Sequence, residues 1–181
     1  MPFRLIHRFR KRPLRGGLTR ATDGSVAIEF AMLALPFVFM IFAILELCVV
    51  FMLDSVLDNA TSETGRLIRT GQAQAAGMTG EQFKTILCGR MSIFSGECAD
   101  RVTIDVRVIP QFAYVPPDPM KDGTFDPSVL SYTNGAPRNL ILVRVWYRHT
   151  LMTPFLSQGL SRLGDGTARM AATTAFRNEP A

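Results

Sequence analysis

The sequence predicts an α+β fold, in which a long N-terminal transmembrane and amphipathic helix packs on a small antiparallel sheet of about three strands. Three observations predict it. Residues 30–53 form a 24-residue run whose single ionisable side chain is Glu46. Past that run, apolar residues recur at three- and four-residue spacing as far as Ile68. Between residues 101 and 177 lie three stretches that alternate polar with apolar and favour β-branched or aromatic side chains.

The apolar run sets the first element. At about 1.5 Å per residue it makes a helix of about 36 Å, against about 30 Å of bilayer hydrocarbon. The alternative, a helix buried in a soluble core, asks a chain of 181 residues to surround it completely. Hydrophobic content of 48% and a mean hydropathy of +0.17 are high for a soluble domain of this size. Pro36 falls inside the run, where a bilayer helix kinks rather than ends. A cleaved secretory signal has a shorter apolar core and a small-x-small site after it; neither is present. A lipoprotein signal fails too, because Leu45-Glu46-Leu47 precedes Cys48. The helix is therefore expected to remain in the mature protein.

Charge is uneven along the chain. Residues 1–23 carry seven arginines and lysines against Asp23, a net +6, whereas residues 54–181 balance to +1. A basic run can bind nucleic acid, but one placed directly before a membrane helix orients it, with the positive flank inside. The expected organisation is a basic cytoplasmic leader at 1–24, a transmembrane helix at 25–53 and an exported α+β domain at 54–181, with no nucleic-acid partner.

Within that organisation, Pro13 and Gly16-Gly17 break any helix in the leader, and Asp23 is placed to cap the helix that follows. One helix is expected from about 24 to about 70. Val56, Leu57, Ala60, Thr64, Leu67 and Ile68 lie on one face of its second half, with Asp54, Asp58, Glu63, Arg66 and Arg69 on the other. Gly71 ends it. Thr79 and Gln82 have the spacing of a capping box, opening a short helix with Phe83, Ile86 and Leu87 that closes at Cys88-Gly89. Residues 101–108 alternate strictly, with Val102, Ile104, Val106 and Val108 inward. Residues 110–138 hold six prolines and read as a surface loop or extended arm. Strands are expected over 139–150 and 166–177, the latter with Met170, Ala172, Thr174 and Phe176 on one face. Residues 152–163 connect them, with a helical turn after Pro154.

The chemistry-bearing residues are few. Cys88 and Cys98 lie in the exported part, where an oxidising compartment favours a disulfide between them; Cys48 serves as a small apolar residue of the span. No metal site is expected, since His149 is the sole exported histidine. His149 stands within a strand with no nucleophile elbow in the sequence, so neither an enzyme nor a cofactor is expected. Asp118, Asp122 and Asp126 lack the pattern of a calcium loop. Arg144, Trp146 and Arg148 share one strand face, either a docking surface or the outer side of the sheet.

One short stretch, Gly24-Ser25-Val26-Ala27-Ile28-Glu29-Phe30, stands between leader and span. A carboxylate there has a bland account, headgroup depth and the attraction of a helix N-terminus. Yet a glycine precedes it by five residues and Phe30 follows it directly. This unit resembles the processing site of type IV prepilins, and more closely that of the tight-adherence (Tad/Flp) branch. The run through Glu46 is similar to TadE-like pilus assembly proteins, and the ending Ala175-Phe176-Arg177-Asn178-Glu179-Pro180 looks like theirs.

The resemblance implies a pilin-like fold and a minor pilin, or pseudopilin, in the bacterial inner membrane. Its N-terminus would be cytoplasmic and its C-terminal domain periplasmic. A prepilin peptidase would cut between Gly24 and Ser25. Partners would be other pilins and pseudopilins and the inner-membrane Tad assembly proteins, with a part in cell adhesion. Glu29, beside Phe30, would pair with the new amine of Ser25 and set the register of packed helices. Glu46 lies 17 residues on, about 25 Å along and about 100° around the helix; it either snorkels to the outer interface or meets a neighbouring helix. Two rivals are an uncleaved, single-pass anchored periplasmic scaffold and a membrane-tethered enzyme.

Overall fold

The computed structural model describes residues 22–121, 123–161 and 166–180. The basic leader up to residue 21 and Asp122 lie outside the described residues. The chain divides into two units, one ending at Ile41 and one beginning at Phe42. A single helix, α1 (Thr22–Arg69), belongs to both and contains Pro36. It begins one residue before Asp23, so that acid falls in the first turn rather than ahead of it.

In the first unit, α1 exposes Val26, Ile28, Phe30, Met32, Leu33, Leu35 and Phe37. Among the described residues nothing covers its most apolar 18-residue window, and the helix is long and apolar enough to cross a membrane. This part of α1 is a candidate membrane anchor.

The second unit is built on the amphipathic half of α1. Leu53, Leu57, Ala60, Thr61, Thr64 and Ile68 are buried on one side, at the three- and four-residue steps that stack on one helix face. Leu53, the last residue of the apolar run, is thus already a core residue. Gly65 sits on the same face. A Cβ there would lie 3.1 Å from the Phe176 ring, so glycine lets helix and sheet approach closely. The Thr64 hydroxyl, buried in this seam, donates to the Ala60 carbonyl at 2.7 Å.

Gly71, with φ of +79°, ends the helix, and a single turn follows, α2 (Gln72–Ala75). Next is α3 (Gly80–Gly89), whose capping box is complete: Thr79 Oγ1 accepts from Gln82 N–H and Gln82 Oε1 accepts from Thr79 N–H. Its Phe83 and Leu87 are fully buried. A 3-10 stretch and the turn α4 (Cys98–Arg101) then lead into the sheet.

The sheet has strand β1 (Val102–Ile109), strand β4 (Leu140–Thr150) and strand β5 (Thr167–Arg177), in the order β1-β4-β5 and antiparallel throughout. Between β1 and β4 lies a small ribbon of β2 (Met120–Lys121) and β3 (Thr124–Phe125); between β4 and β5 lies helix α5 (Pro154–Leu160). The register sets Val106 opposite Val143, and Val143 opposite Thr174. One face therefore carries Val102, Ile104, Val106, Ile141, Val143, Val145, Tyr147, Met170 and Ala172, nearly all of them buried, and joins the hydrophobic core with α1. Val108, expected inward, is 42% exposed. It lies on the outer strand of the sheet, whereas its partner Ile141 on the central strand is fully buried.

The 110–138 arm is more than a solvated loop. Its Tyr132 pairs with Val106 in a parallel bridge, with Val106 N–H donating to Ser131 O and Thr133 N–H to Val106 O. The arm lies over the second face of the sheet. There Asp105 is 0% exposed, Trp146 is 4% exposed, and Arg144, Leu142 and Ile109 are buried. Asp105 accepts from Arg107 Nε at 2.9 Å, from Arg144 Nε at 2.9 Å and Nη2 at 2.7 Å, and from the Ser131 N–H at 2.9 Å. The same guanidiniums bond arm carbonyls, Arg107 to Val129 O at 2.8 Å and Arg144 to Pro117 O at 3.0 Å. Phe125 meets Trp146 edge-on at 5.9 Å, and the Arg169 guanidinium lies over the Phe125 ring at 4.2 Å. So Arg144 and Trp146 do not form an open docking face, whereas Arg148 is exposed.

The ends are stitched by asparagines. Asn134 Nδ2 donates to Met78 O at 2.9 Å, and its Oδ1 accepts from Tyr132 Oη at 2.7 Å; burial pushes the Tyr132 hydroxyl up to about 12. Buried Asn178 donates to the Asn134 and Ala136 carbonyls, both at 3.1 Å. Glu179 N–H then reaches Arg69 O at 2.9 Å, satisfying a carbonyl left over at the C-terminus of α1. Gly135, with φ of +65°, sits where a Cβ would come within 2.6 Å of Ile141, so the turn requires glycine.

Burial would raise the Asp105 carboxyl, but hydrogen bonds from Arg107, Ser131 and Arg144 outweigh it and hold the group below its ordinary value of 3.8. A carboxyl lowered in the folded state contributes stability above its unfolded value and loses it as pH falls through the folded one. Acid titration followed by Trp146 fluorescence is expected to show unfolding below the ordinary carboxylate range, and Asp105→Asn is expected to flatten that acid limb. At neutral pH the same variant leaves two buried guanidiniums without their carboxylate, so denaturant titration in detergent is expected to show a loss of about 3–5 kcal/mol.

Candidate functional site

The residues singled out by sequence fall in three places. In the first, Gly24 and Ser25 lie in the first turns of α1, both exposed. Among the described residues a Cβ on Gly24 would meet nothing, so their packing does not demand glycine there. Ser25 Oγ donates to Glu29 Oε1 at 3.2 Å across one helical turn. The i,i+4 spacing thus puts the Glu29 carboxylate and the first groups of residue 25 on one side of the helix. Phe30, next around the helix, is exposed. Among the described residues nothing packs on this stretch, and Gly24, Ser25, Glu29 and Phe30 all face outward.

Glu46 is different. Its carboxylate turns to its own chain, accepting the N–H groups of Met152 and of Thr153, the latter at 2.9 Å. These two amides precede Pro154, at the entry to α5. A carboxylate in an apolar run is costly when unpaired, and here backbone donors satisfy it. The sequence offered two accounts of Glu46, an outer-interface position and a neighbouring helix; the contact with residues 152–153 is one it does not show, since 106 residues separate the partners.

The third place is the disulfide Cys88–Cys98, with Cα atoms 5.5 Å apart. Cys88 closes α3 and Cys98 opens α4, both buried, so the bond fixes the 3-10 stretch between them. Cys48 is free and exposed on the apolar part of α1.

The remaining polar residues are occupied locally. Asp118 accepts from Met120 N–H at 2.9 Å and Asp126 from Ser128 N–H at 2.8 Å, both as turn formers. Among the described residues no three histidines, cysteines or acids gather as metal ligands. His149 is half-buried on the core side of β4; burial first, and the charge of Arg101 second, hold it below its ordinary value against the pull of Glu46. The Asp105 cluster was missed by sequence reading. Alternation marked Asp105, Arg107 and Arg144 as outward-facing, and nothing local showed that the 110–138 arm would close over them, through residues 22 to 27 positions away.

Residues 24–66 match the family model described as TadE-like protein. The match starts at Gly24 and takes in Ser25, Glu29, Phe30 and Glu46. No curated protein and no solved structure matches the chain.

Closing a loop of about ten residues is worth about 3 kcal/mol on the chain-entropy model. Cys98→Ser, or reduction of the wild-type protein, is therefore expected to lower stability by about that much, read as a drop in the denaturant midpoint.

Proposed function

We propose that this chain, TadE-like over residues 24–66, is a pseudopilin of a Tad/Flp pilus assembly system, held in the bacterial inner membrane by α1. In this reading the basic leader stays in the cytoplasm and the sheet domain is periplasmic, as the charge imbalance between residues 1–23 and 54–181 favours. A prepilin peptidase cuts between Gly24 and Ser25. The absence of any packing role for Gly24 supports selection by a protease subsite that admits no side chain. Glycine also weakens the helix by about 1 kcal/mol relative to alanine, which eases opening of the bond.

The carrying observation is the alignment of Glu29 with Ser25. Their side chains already meet at 3.2 Å in the uncut helix. Cleavage turns the Ser25 backbone nitrogen into a charged α-amine on the same turn. In low dielectric a carboxylate and an amine attract far more strongly than in water, and each is costly alone. The pair, within a chain or between neighbours, then sets the axial register of helices in a bundle. The protein acts by packing with other pilins and with the assembly machinery, not by catalysis.

Mass analysis of the mature N-terminus tests the reading. A chain starting at Ser25, methylated or not, is expected; an intact leader would support the uncleaved periplasmic scaffold instead. Glu29→Leu is expected to leave membrane insertion unchanged and to lower pilus output about tenfold or more, the effect of at least 1.4 kcal/mol lost from a single contact. Normal piliation in that variant would remove the register role.

A further inference from the structure

The connection between β4 and β5 is far longer than its job requires. These strands are antiparallel neighbours, and such pairs are commonly joined by two to five residues. Here residues 151–166 intervene, and they contain a helix. From Leu151 to Ser161 the stretch LMTPFLSQGLS has no charged side chain.

Its position is set by Glu46. That residue lies seven positions before Leu53, the first fully buried residue of α1, so the turn it holds reaches about 10 Å back along the helix from where the core begins. There α1 exposes Phe42, Ile44, Leu45 and Phe51, the apolar surface of the candidate membrane span. Met152, bonded through its N–H to Glu46, is 92% exposed. Beside it, Leu47, Leu156 and Leu160 line an open cleft of about 430 Å³ between α1 and α5.

We infer that residues 151–160 are a membrane-interface wedge, seated on the span by Glu46, with Met152 and the α5 leucines among lipid headgroups and upper acyl chains. The occupant of the surface is lipid. The segment is continuous with the span's own apolar face, is uncharged, and hangs at the depth where that face begins. Satisfying Glu46 with two backbone N–H groups removes the penalty that a carboxylate would otherwise meet at this depth. The wedge adds a second attachment, so that the sheet domain is held against the bilayer rather than swinging on one helix. The inference rests on α1 being a membrane span.

The test uses the full chain with Cys48→Ser, reconstituted in phosphatidylcholine–phosphatidylglycerol vesicles containing lipids spin-labelled near the headgroup or along the chain. A fluorescent thiol label is placed in turn through Met152→Cys, Phe51→Cys, Phe39→Cys and Ile93→Cys. Quenching at Met152 by the shallow spin label, comparable to that at Phe51 and well above that at exposed Ile93, is expected. Glu46→Ala removes a charged acceptor worth about tenfold in the seated population, so quenching at Met152 is expected to fall at least twofold, with Phe39 unchanged. Quenching at Phe39 with Met152 as dark as Ile93 overturns the wedge and leaves the span. Failure to quench at Phe39 overturns both. Energy transfer between copies labelled at Met152, lost on dilution with lipid and unaccompanied by lipid quenching, replaces the wedge with a contact between chains. Unchanged quenching in Glu46→Ala overturns the seating by Glu46.

Discussion

The Asp105 carboxylate is held by two guanidiniums and by the backbone and side chain of Ser131, and the closure of the sheet depends on it. The three strands present two faces, but one helix can cover only one. The other would leave Trp146, Leu142 and Ile109 in solvent. Arg107 and Arg144 reach from Asp105 to carbonyls of the 110–138 arm, so a single buried charge fastens a proline-rich segment with little regular structure of its own. Buried ion pairs are often no more stabilising than a hydrophobic replacement. Their value here is directional: the guanidinium forks accept one placement of the arm, and an apolar patch would accept many.

The two acids of α1 show the same physics with different outcomes. Among the described residues Glu29 is met by a serine hydroxyl one turn away, and its stronger partner is proposed to arise by cleavage or to come from a neighbour. Glu46 is satisfied internally, by two amides at the entry to α5. A carboxylate whose needs are met inside the fold serves to position that fold. One left facing outward is available for assembly. This contrast is why the first is read as a register device and the second as a seat for residues 151–160.

Much of the fold was legible because it is encoded in local period. The long helix, the capping box at Thr79 and Gln82 and the three strands each follow from spacing over a few residues, and the Cys88–Cys98 bond follows from the expected export of both cysteines to an oxidising compartment. Their ends were expected within one or two positions. What escaped was whatever depends on distant chain. Asp105, Arg107 and Arg144 look solvent-facing by alternation, yet they are covered by the arm. Val108 looks inward, yet on the outer strand it stays partly exposed beside a fully buried Ile141. Asn134 and Asn178, ordinary loop residues in sequence, carry the hydrogen bonds that join three segments.

The candidate site divides along the same line. Gly24, Ser25, Glu29 and Phe30 were identifiable because they lie in one contiguous seven-residue motif that resembles a known processing site. Glu46 was recognisable as an acid in an apolar run, but its partners at 152 and 153 were not. The sequence by itself determined where the chain is apolar on all sides, where it is apolar on one, and which short motif lies between leader and span. Only the tertiary structure decided which polar groups are satisfied by which, because hydrogen-bond and charge partners are chosen by proximity in space, and that proximity exists only once the helix, sheet and arm have packed.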